Sequence, residues 1–378
     1  MSKVLSLCSA VLFTWSFQAQ DVSLKLADSL YAHGNYAQAI TVFKSFEQQE
    51  HVYEKLAKAY RALGNYDEAL NNYKSASQAF PEDALLKYDY AKLLARNKKL
   101  KAAEDLFNAL VNLDYKNPNY HYELGLVLEQ QGDSTAMNRF RSAFQLDSTH
   151  QKAIHKIAKQ LLIKRNHEKS LYYIDIGLAS YANNAELISL KALNFYWQQD
   201  YKIAIQWFEK LLALGENSQF IHEKLSFCFA ENLQYEKAIL HAKQAVNFDV
   251  KNATNLYILG QLYEKVNDFA AAEKWLTEAL LLLDQPLNVE YTTLATVLNQ
   301  QKKYKEAIAV LQKAILEDPK DDRANFFLAR TKDQYFADRD AKIKAYEVFR
   351  ERFPKSVFVH FADSRLRELK EEKFMNSE

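Results

Sequence analysis

Glycine and proline are scarce in this chain, at 7 and 5 residues out of 378. So little punctuation does not suit a loop-rich or strand-rich protein and does suit an array of helices. Two cysteines, Cys8 and Cys228, are too few for a disulfide framework. Neither sign of charge is in excess. Lys and Arg total 49 against 48 Asp and Glu, a net charge of +1, so no global field favours nucleic acid or an anionic membrane.

Catalytic signatures are missing too: the sequence holds no HExxH, CxxC, GxSxG, Walker-type loop or GxGxxG. The nine histidines are scattered. His150 and His155 are five apart, off the i, i+4 spacing that would aim both at one metal. His121 and Glu123 are two apart and face different ways on a helix. These histidines are expected in solvent or at the core edge, and Cys228, among Leu225, Phe227 and Phe229, as a buried structural thiol. Asp321-Asp322 is accounted for by helix capping. The expectation is no catalytic, cofactor or metal site, and hence no enzyme.

What is present is periodicity. From Glu50 to Asp83 the chain reads as two amphipathic helices joined by a tight turn. Tyr53, Leu56, Ala57 and Tyr60 form one apolar stripe. Gly64-Asn65 ends that helix, because a glycine just past the last turn can take the left-handed conformation. A second stripe runs through Tyr66, Ala69, Leu70, Tyr73 and Ala76 until Phe80-Pro81 stops it. Ala57, Ala69 and Ala76 fall where the helices come closest. Neither helix buries its stripe alone, so copies must stack, and weaker copies recur at a period of about 34 residues.

The unit resembles a tetratricopeptide repeat. The family's large residue, Leu, small residue and Tyr of the first helix are held by Tyr53, Leu56, Ala57 and Tyr60. Ala69, Tyr73, Ala76 and Pro81 hold the places of the second helix. The resemblance covers about Gln20 to Pro354, in repeats near 20–49, 50–83, 84–117, 118–150, 151–184, 185–218, 219–252, 253–287, 288–321 and 322–354. It implies an all-α, α-α superhelical solenoid of about ten repeats. Residues 355–378 place Phe358, Phe361, Arg365, Leu366 and Leu369 at helical spacing, which reads as a C-terminal capping helix.

Residues 1–20 differ. Lys3 is followed by an uncharged run from Val4 to Phe17, too short to span a bilayer comfortably and matched to the core of a secretory signal peptide. Cleavage near Ala19 or Gln20 is the expectation, leaving a formally neutral mature chain with no transmembrane segment and an exported, periplasmic or envelope-associated location. The alternatives are an uncleaved anchor and lipidation at Cys8, against which the bulky Leu7 argues.

In the family, first helices of successive repeats line a concave face that meets a protein or peptide ligand. The resemblance places Lys55, Lys58, Arg61, Tyr88, Lys92 and Arg96 there, then Tyr122, Glu129, Lys152, His155, Lys156 and Lys159. Tyr196, Trp197, Phe227 and Tyr257 follow, and then Thr292, Thr296, Asn299 and Gln300. A basic wall beside aromatics suits an extended segment with acidic and apolar side chains. The alternative is that the lysines only solvate the face while Trp197 and Phe227 pack between helices. Relatives that clamp a C-terminal carboxylate use paired Lys, Asn and Arg; here Leu24, Asp28 and Glu54 hold matching places, which argues against that clamp. The expected role is an exported interaction scaffold. An accessory factor for outer-membrane or secretion-system assembly and a docking arm of an enzyme complex are the alternatives.

Overall fold

The computed structural model describes residues 22–282 and 287–375, so the expected signal segment lies outside the described residues. Among the described residues the regular elements are helical and no strand occurs. The helices group into two compact units, one ending at Ala182 and the other beginning at Asn183.

The first unit is a row of helical hairpins. Helix α1 (22–32) leads to α2 (Tyr36–Lys44), and α3 (Tyr53–Ala62) pairs with α4 (Tyr66–Ala79). Then come α5 (Ala84–Arg96) with α6 (Leu100–Leu113), α7 (Pro118–Gln131) with α8 (Ala136–Leu146), and α9 (Gln151–Ile163) with α10 (His167–Ser180). The second unit repeats the plan with α11 (Ala185–Trp197) and α12 (Tyr201–Ala213), α13 (Gln219–Glu231) and α14 (Tyr235–Phe248), and α15 (Ala253–Lys265) and α16 (Phe269–Leu282). Helices α17 (Asn288–Gln300), α18 (Tyr304–Glu317), α19 (Asp322–Tyr335), α20 (Arg339–Arg352) and α21 (Val359–Met375) complete it. Within each unit, helices pack first against their hairpin partner and next against the following hairpin.

Small residues set the spacing. Ala57, Ala69 and Ala76 are fully buried around Tyr73, which is itself 0% exposed. At two places even a methyl group does not fit. A Cβ on Gly125 would sit 2.7 Å from Cε1 of Phe140, and one on Gly260 would sit 2.7 Å from Cγ of Leu276. Both glycines allow helix-to-helix contact closer than alanine permits.

One turn geometry recurs. The residue after α3 is followed by Gly64 at φ +77, and the amide of Asn65 donates to the carbonyl of Tyr60 at 3.0 Å. The same six-to-one bond closes later hairpins, for example Asp133 to Leu128 and Gln234 to Phe229, both at 2.9 Å. This is the Schellman arrangement, which satisfies carbonyls left over at a helix end. In six hairpins, however, the left-handed place is held by a residue other than glycine: Lys98, Arg165, Gln199, Leu233, Asn267 or Lys302. Helix starts follow ordinary capping, as where Asp321 Oδ1 accepts from the Ala324 amide at 3.0 Å.

The last three helices share a core of Phe326, Ile343, Tyr346, Phe349, Ala362, Leu366 and Leu369. Two sequence expectations are corrected here. Phe361 points away from that core and is 62% exposed, because Ala362 takes the inward place beside it. The histidines are not all peripheral: His121 and His222 are buried, each with a polar contact inside, although His121 Nδ1 has no partner among the described residues. His121 Nε2 lies 2.8 Å from the Tyr115 carbonyl, and His222 bridges Asn217 Oδ1 at 2.8 Å and His241 Nδ1 at 2.9 Å. Cys228 is buried, and burial pushes its thiol up to about 12, which leaves it protonated and inert.

Candidate functional site

Clefts open along the first helices of the hairpins in each unit. In the first unit a cleft of about 540 Å³ is lined by Arg61, Tyr66, Asp89, Lys92, Leu93, Arg96 and Asn97. Arg61 ends α3 while Lys92 and Arg96 lie one turn apart on α5, so the stacking of two hairpins brings all three together. Arg61 and Arg96 make no ion pair among the described residues. Lys92 does: its Nζ is 3.3 Å from Glu123 Oε1 and 5.0 Å from the Tyr88 ring centroid. Tyr88 donates its hydroxyl to the same carboxylate oxygen at 3.1 Å, and burial raises its pKa.

Three other expected lysines of this unit are also engaged. Lys55 pairs with Asp28 at 2.6 Å, Lys58 with Glu54 at 2.5 Å and Lys156 with Glu129 at 2.5 Å. The basic wall is therefore partly neutralised from within; Arg61 and Arg96, and Lys152 and Lys159 further along, join no ion pair among the described residues. Lys152 and Lys159 are exposed on α9, with His155 half-buried between them. Tyr122 is a correction. It is only 9% exposed, with its ring 5.6 Å from Phe140 and 5.2 Å from His150, so it fills the hairpin interior and offers little to a ligand.

In the second unit a cleft of about 660 Å³ is framed by α13, α15, α17 and the start of α19. It contains two of the expected aromatics. Phe227 is 42% exposed, and Tyr257 is half-buried with its hydroxyl 2.9 Å from that of Thr293. Trp197 is 46% exposed beside Tyr196, at 5.3 Å between rings, so neither it nor Phe227 is a core residue. Thr296 lines this cleft and also a second one of about 280 Å³ with Asn299, Gln300 and Arg330. Thr292 is buried, its hydroxyl donating to the Asn288 carbonyl at 2.6 Å.

Sequence reasoning missed the acids of this cleft, Glu223, Glu231 and Glu264, as well as Ile258 and Arg323. The signal was available. Glu231 is four residues after Phe227, and Gln261 and Glu264 are four and seven after Tyr257, which is the same helix face. Among the described residues no cluster of three or more His, Cys, Asp or Glu is placed to hold a metal ion. No described helix is long and apolar enough to cross a membrane.

Sequence profiles described as "Tetratricopeptide repeat" match residues 21–49 and 60–124. One described as "Anaphase-promoting complex, cyclosome, subunit 3" matches residues 231–314. Among solved structures, the C-terminal part of a TPR repeat-containing protein from Cytophaga hutchinsonii is 20% identical with a TM-score of 0.52, covering 62% of this chain and 99% of its own. YrrB, described as a TPR protein with an unusual peptide-binding site, is 17% identical with a TM-score of 0.46, covering 49% of this chain and 95% of its own. Yeast Tom70 is 14% identical with a TM-score of 0.39, covering 96% and 97%. At these identities the likeness speaks to the fold, and it rests on the Cytophaga structure.

Proposed function

Because the chain is a tetratricopeptide repeat protein, we propose that it is a non-enzymatic scaffold whose first unit holds an extended segment of a partner protein bearing acidic and apolar side chains. The observation that carries this reading is the pair Arg61 and Arg96, two guanidinium groups facing one cleft with no carboxylate bound to either among the described residues. Tyr66 and Leu93 supply apolar surface beside them. A guanidinium binds a carboxylate through two parallel hydrogen bonds, so two of them on the first helices of successive hairpins suit an acidic side chain on an extended strand. We further propose that the scaffold acts after export; the uncharged run from Val4 to Phe17 supports this.

The test uses the chain from Asp21 as bait in envelope extract, beside a bait with Arg61→Glu and Arg96→Glu. Captured proteins are then narrowed to peptides and titrated against both baits by fluorescence anisotropy. An acidic peptide that binds the first bait, weakens with rising salt and loses the second bait supports the reading. Equal binding to both baits refutes the assignment to this cleft. Amino-terminal sequencing of the protein recovered from its native cell decides export: a start near Asp21 supports it, and a start at Met1 in the cytosolic fraction refutes it.

A further inference from the structure

The cleft of the second unit has a different chemistry. Its floor is apolar, with Phe227, Ile258, Leu262 and Val289. Among its charges Glu223 and Glu264 are half-buried, whereas Glu231, Lys265 and Arg323 are exposed. Glu223 is already satisfied, accepting from Gln219 Nε2 at 2.8 Å and Asn255 Nδ2 at 2.9 Å. Glu231 and Glu264 accept no hydrogen bond and join no ion pair among the described residues. Burial pushes the Glu264 carboxyl above its ordinary range. Lys265 and Arg323 offset this only from a distance, without an ion pair, so the half-desolvated Glu264 carries a cost that an arriving cation relieves.

A second observation points the same way. Beside Glu231 stand three rings in mutual contact, Tyr196, Tyr201 and Phe227. Tyr196 is 5.4 Å and Tyr201 5.6 Å from Phe227, at interplanar angles of 58° and 75°. Such ring faces attract cations, and this cluster already holds one, Lys224 Nζ at 4.5 Å from the Tyr196 centroid. Phe227 keeps an open face toward the cleft. The rival occupant is an acidic segment paired with Lys265 and Arg323. Arg323 is instead stacked over Phe327, 5.4 Å from its centroid, and both cations sit where water screens them.

We propose that this cleft is a separate binding site for a protein segment in which an Arg or Lys side chain stands beside a branched aliphatic one. The cation lies between Glu231, Glu264 and the Phe227 ring, and the aliphatic group lies on Ile258, Leu262 and Val289. This goes beyond the acidic-segment reading of the first unit: the chain holds two clefts of opposite preference and thus two distinct partner segments.

The experiment titrates the chain from Asp21 with labelled peptides that alternate Leu with Arg, Leu with Glu, or Leu with Gln. The wild-type chain is compared with the variant Glu231→Gln with Glu264→Gln and the variant Arg61→Ala with Arg96→Ala. The Leu/Arg peptide is expected to bind the wild type, to lose about tenfold or more in affinity with the glutamine variant, and to be unchanged with the alanine variant. Phe227→Ala with both carboxylates kept is expected to weaken it as well, which a merely electrostatic surface attraction does not predict. Leu/Arg binding that is absent, or indifferent to the glutamine substitutions, overturns the proposal. So does Leu/Glu binding that is lost on Lys265→Ala with Arg323→Ala. Failure of the Leu/Glu peptide at Arg61 and Arg96 refutes only the first-unit reading, so the two fail separately.

Discussion

Arg365 in α21 donates from Nε to Oδ2 of Asp333 in α19 at 2.9 Å, reaching a carboxylate that is only 3% exposed. Tyr346 in α20 donates its hydroxyl to the same oxygen at 3.2 Å, and Lys342 Nζ lies 3.6 Å from the other. Three helices are thus tied through one buried acid. Asp333→Ala leaves Arg365 and Tyr346 without their shared acceptor. It is expected to destabilise the second unit by about 3 kcal/mol, the low end for a broken buried pair because the Arg365 side chain is 32% exposed. Urea unfolding measures it, and a loss under about 1 kcal/mol would mean that the tie contributes little.

Tyr73 separates packing from hydrogen bonding. Its ring is fully buried, yet its hydroxyl has no partner among the described residues. Tyr73→Phe is expected to be neutral or to stabilise by about 1 kcal/mol, because it removes an unsatisfied polar atom. Tyr73→Ala is expected to cost about 3–5 kcal/mol from the cavity it leaves. Similar losses from both variants in denaturant titration would place a hidden partner on the hydroxyl.

Leu233 occupies a left-handed conformation at φ 58 while 71% exposed. A branched side chain there is strained and has little to pack against. Leu233→Gly is therefore expected to raise stability by up to about 1 kcal/mol, after subtracting the extra freedom glycine gives the unfolded chain. An unchanged or lowered unfolding midpoint would count against strain at this turn.

The second unit is expected to weaken on mild acidification. Burial, and the neighbouring His222, push His241 down to about 4, and burial lowers His222 as well. The folded state thus holds the pair neutral while the unfolded chain takes up protons near pH 6.5. Stability from this source is complete above about pH 6.5 and is lost as pH falls from there toward 4. His241→Gln, which does not titrate, is expected to flatten that dependence between pH 6.5 and 5. A wild-type midpoint that stays constant over the same interval would contradict the buried neutral pair.

The helices were legible because their signal is local. Stripes at three, four and seven residues, as in Tyr53 to Tyr60, mark a buried face wherever the helix docks. Turn conformation was legible only where glycine announced it, as at Gly64. At Leu233 or Lys302 packing imposes a backbone that the residue itself disfavours, and no sequence pattern records that. The candidate sites were half legible. Arg61, Lys92 and Arg96 were placed on one wall, but the pairing of Lys55 with Asp28 and of Lys156 with Glu129 joins residues 27 apart, which requires knowing how successive hairpins abut. The acids of the second cleft escaped because only Phe227 and Tyr257 were read as ligand-facing on α13 and α15, while Glu231 and Glu264 lie one and two turns further along the same faces.

The left-handed turns also sort the chain by autonomy. The first unit closes three hairpins at Gly34, Gly64 and Gly132 and two at Lys98 and Arg165, whereas the second closes four at Gln199, Leu233, Asn267 and Lys302. A glycine turn closes at no steric cost, so those hairpins can form before their neighbours arrive. A turn that is locally disfavoured closes only once adjoining helices hold it. The hairpins closed at glycine, α3 with α4 among them, are thus the ones expected to begin folding early. Hairpins closed at other residues wait for adjoining helices, and pulsed hydrogen exchange during refolding is expected to read this as earlier amide protection in α3 and α4 than in α13 and α14.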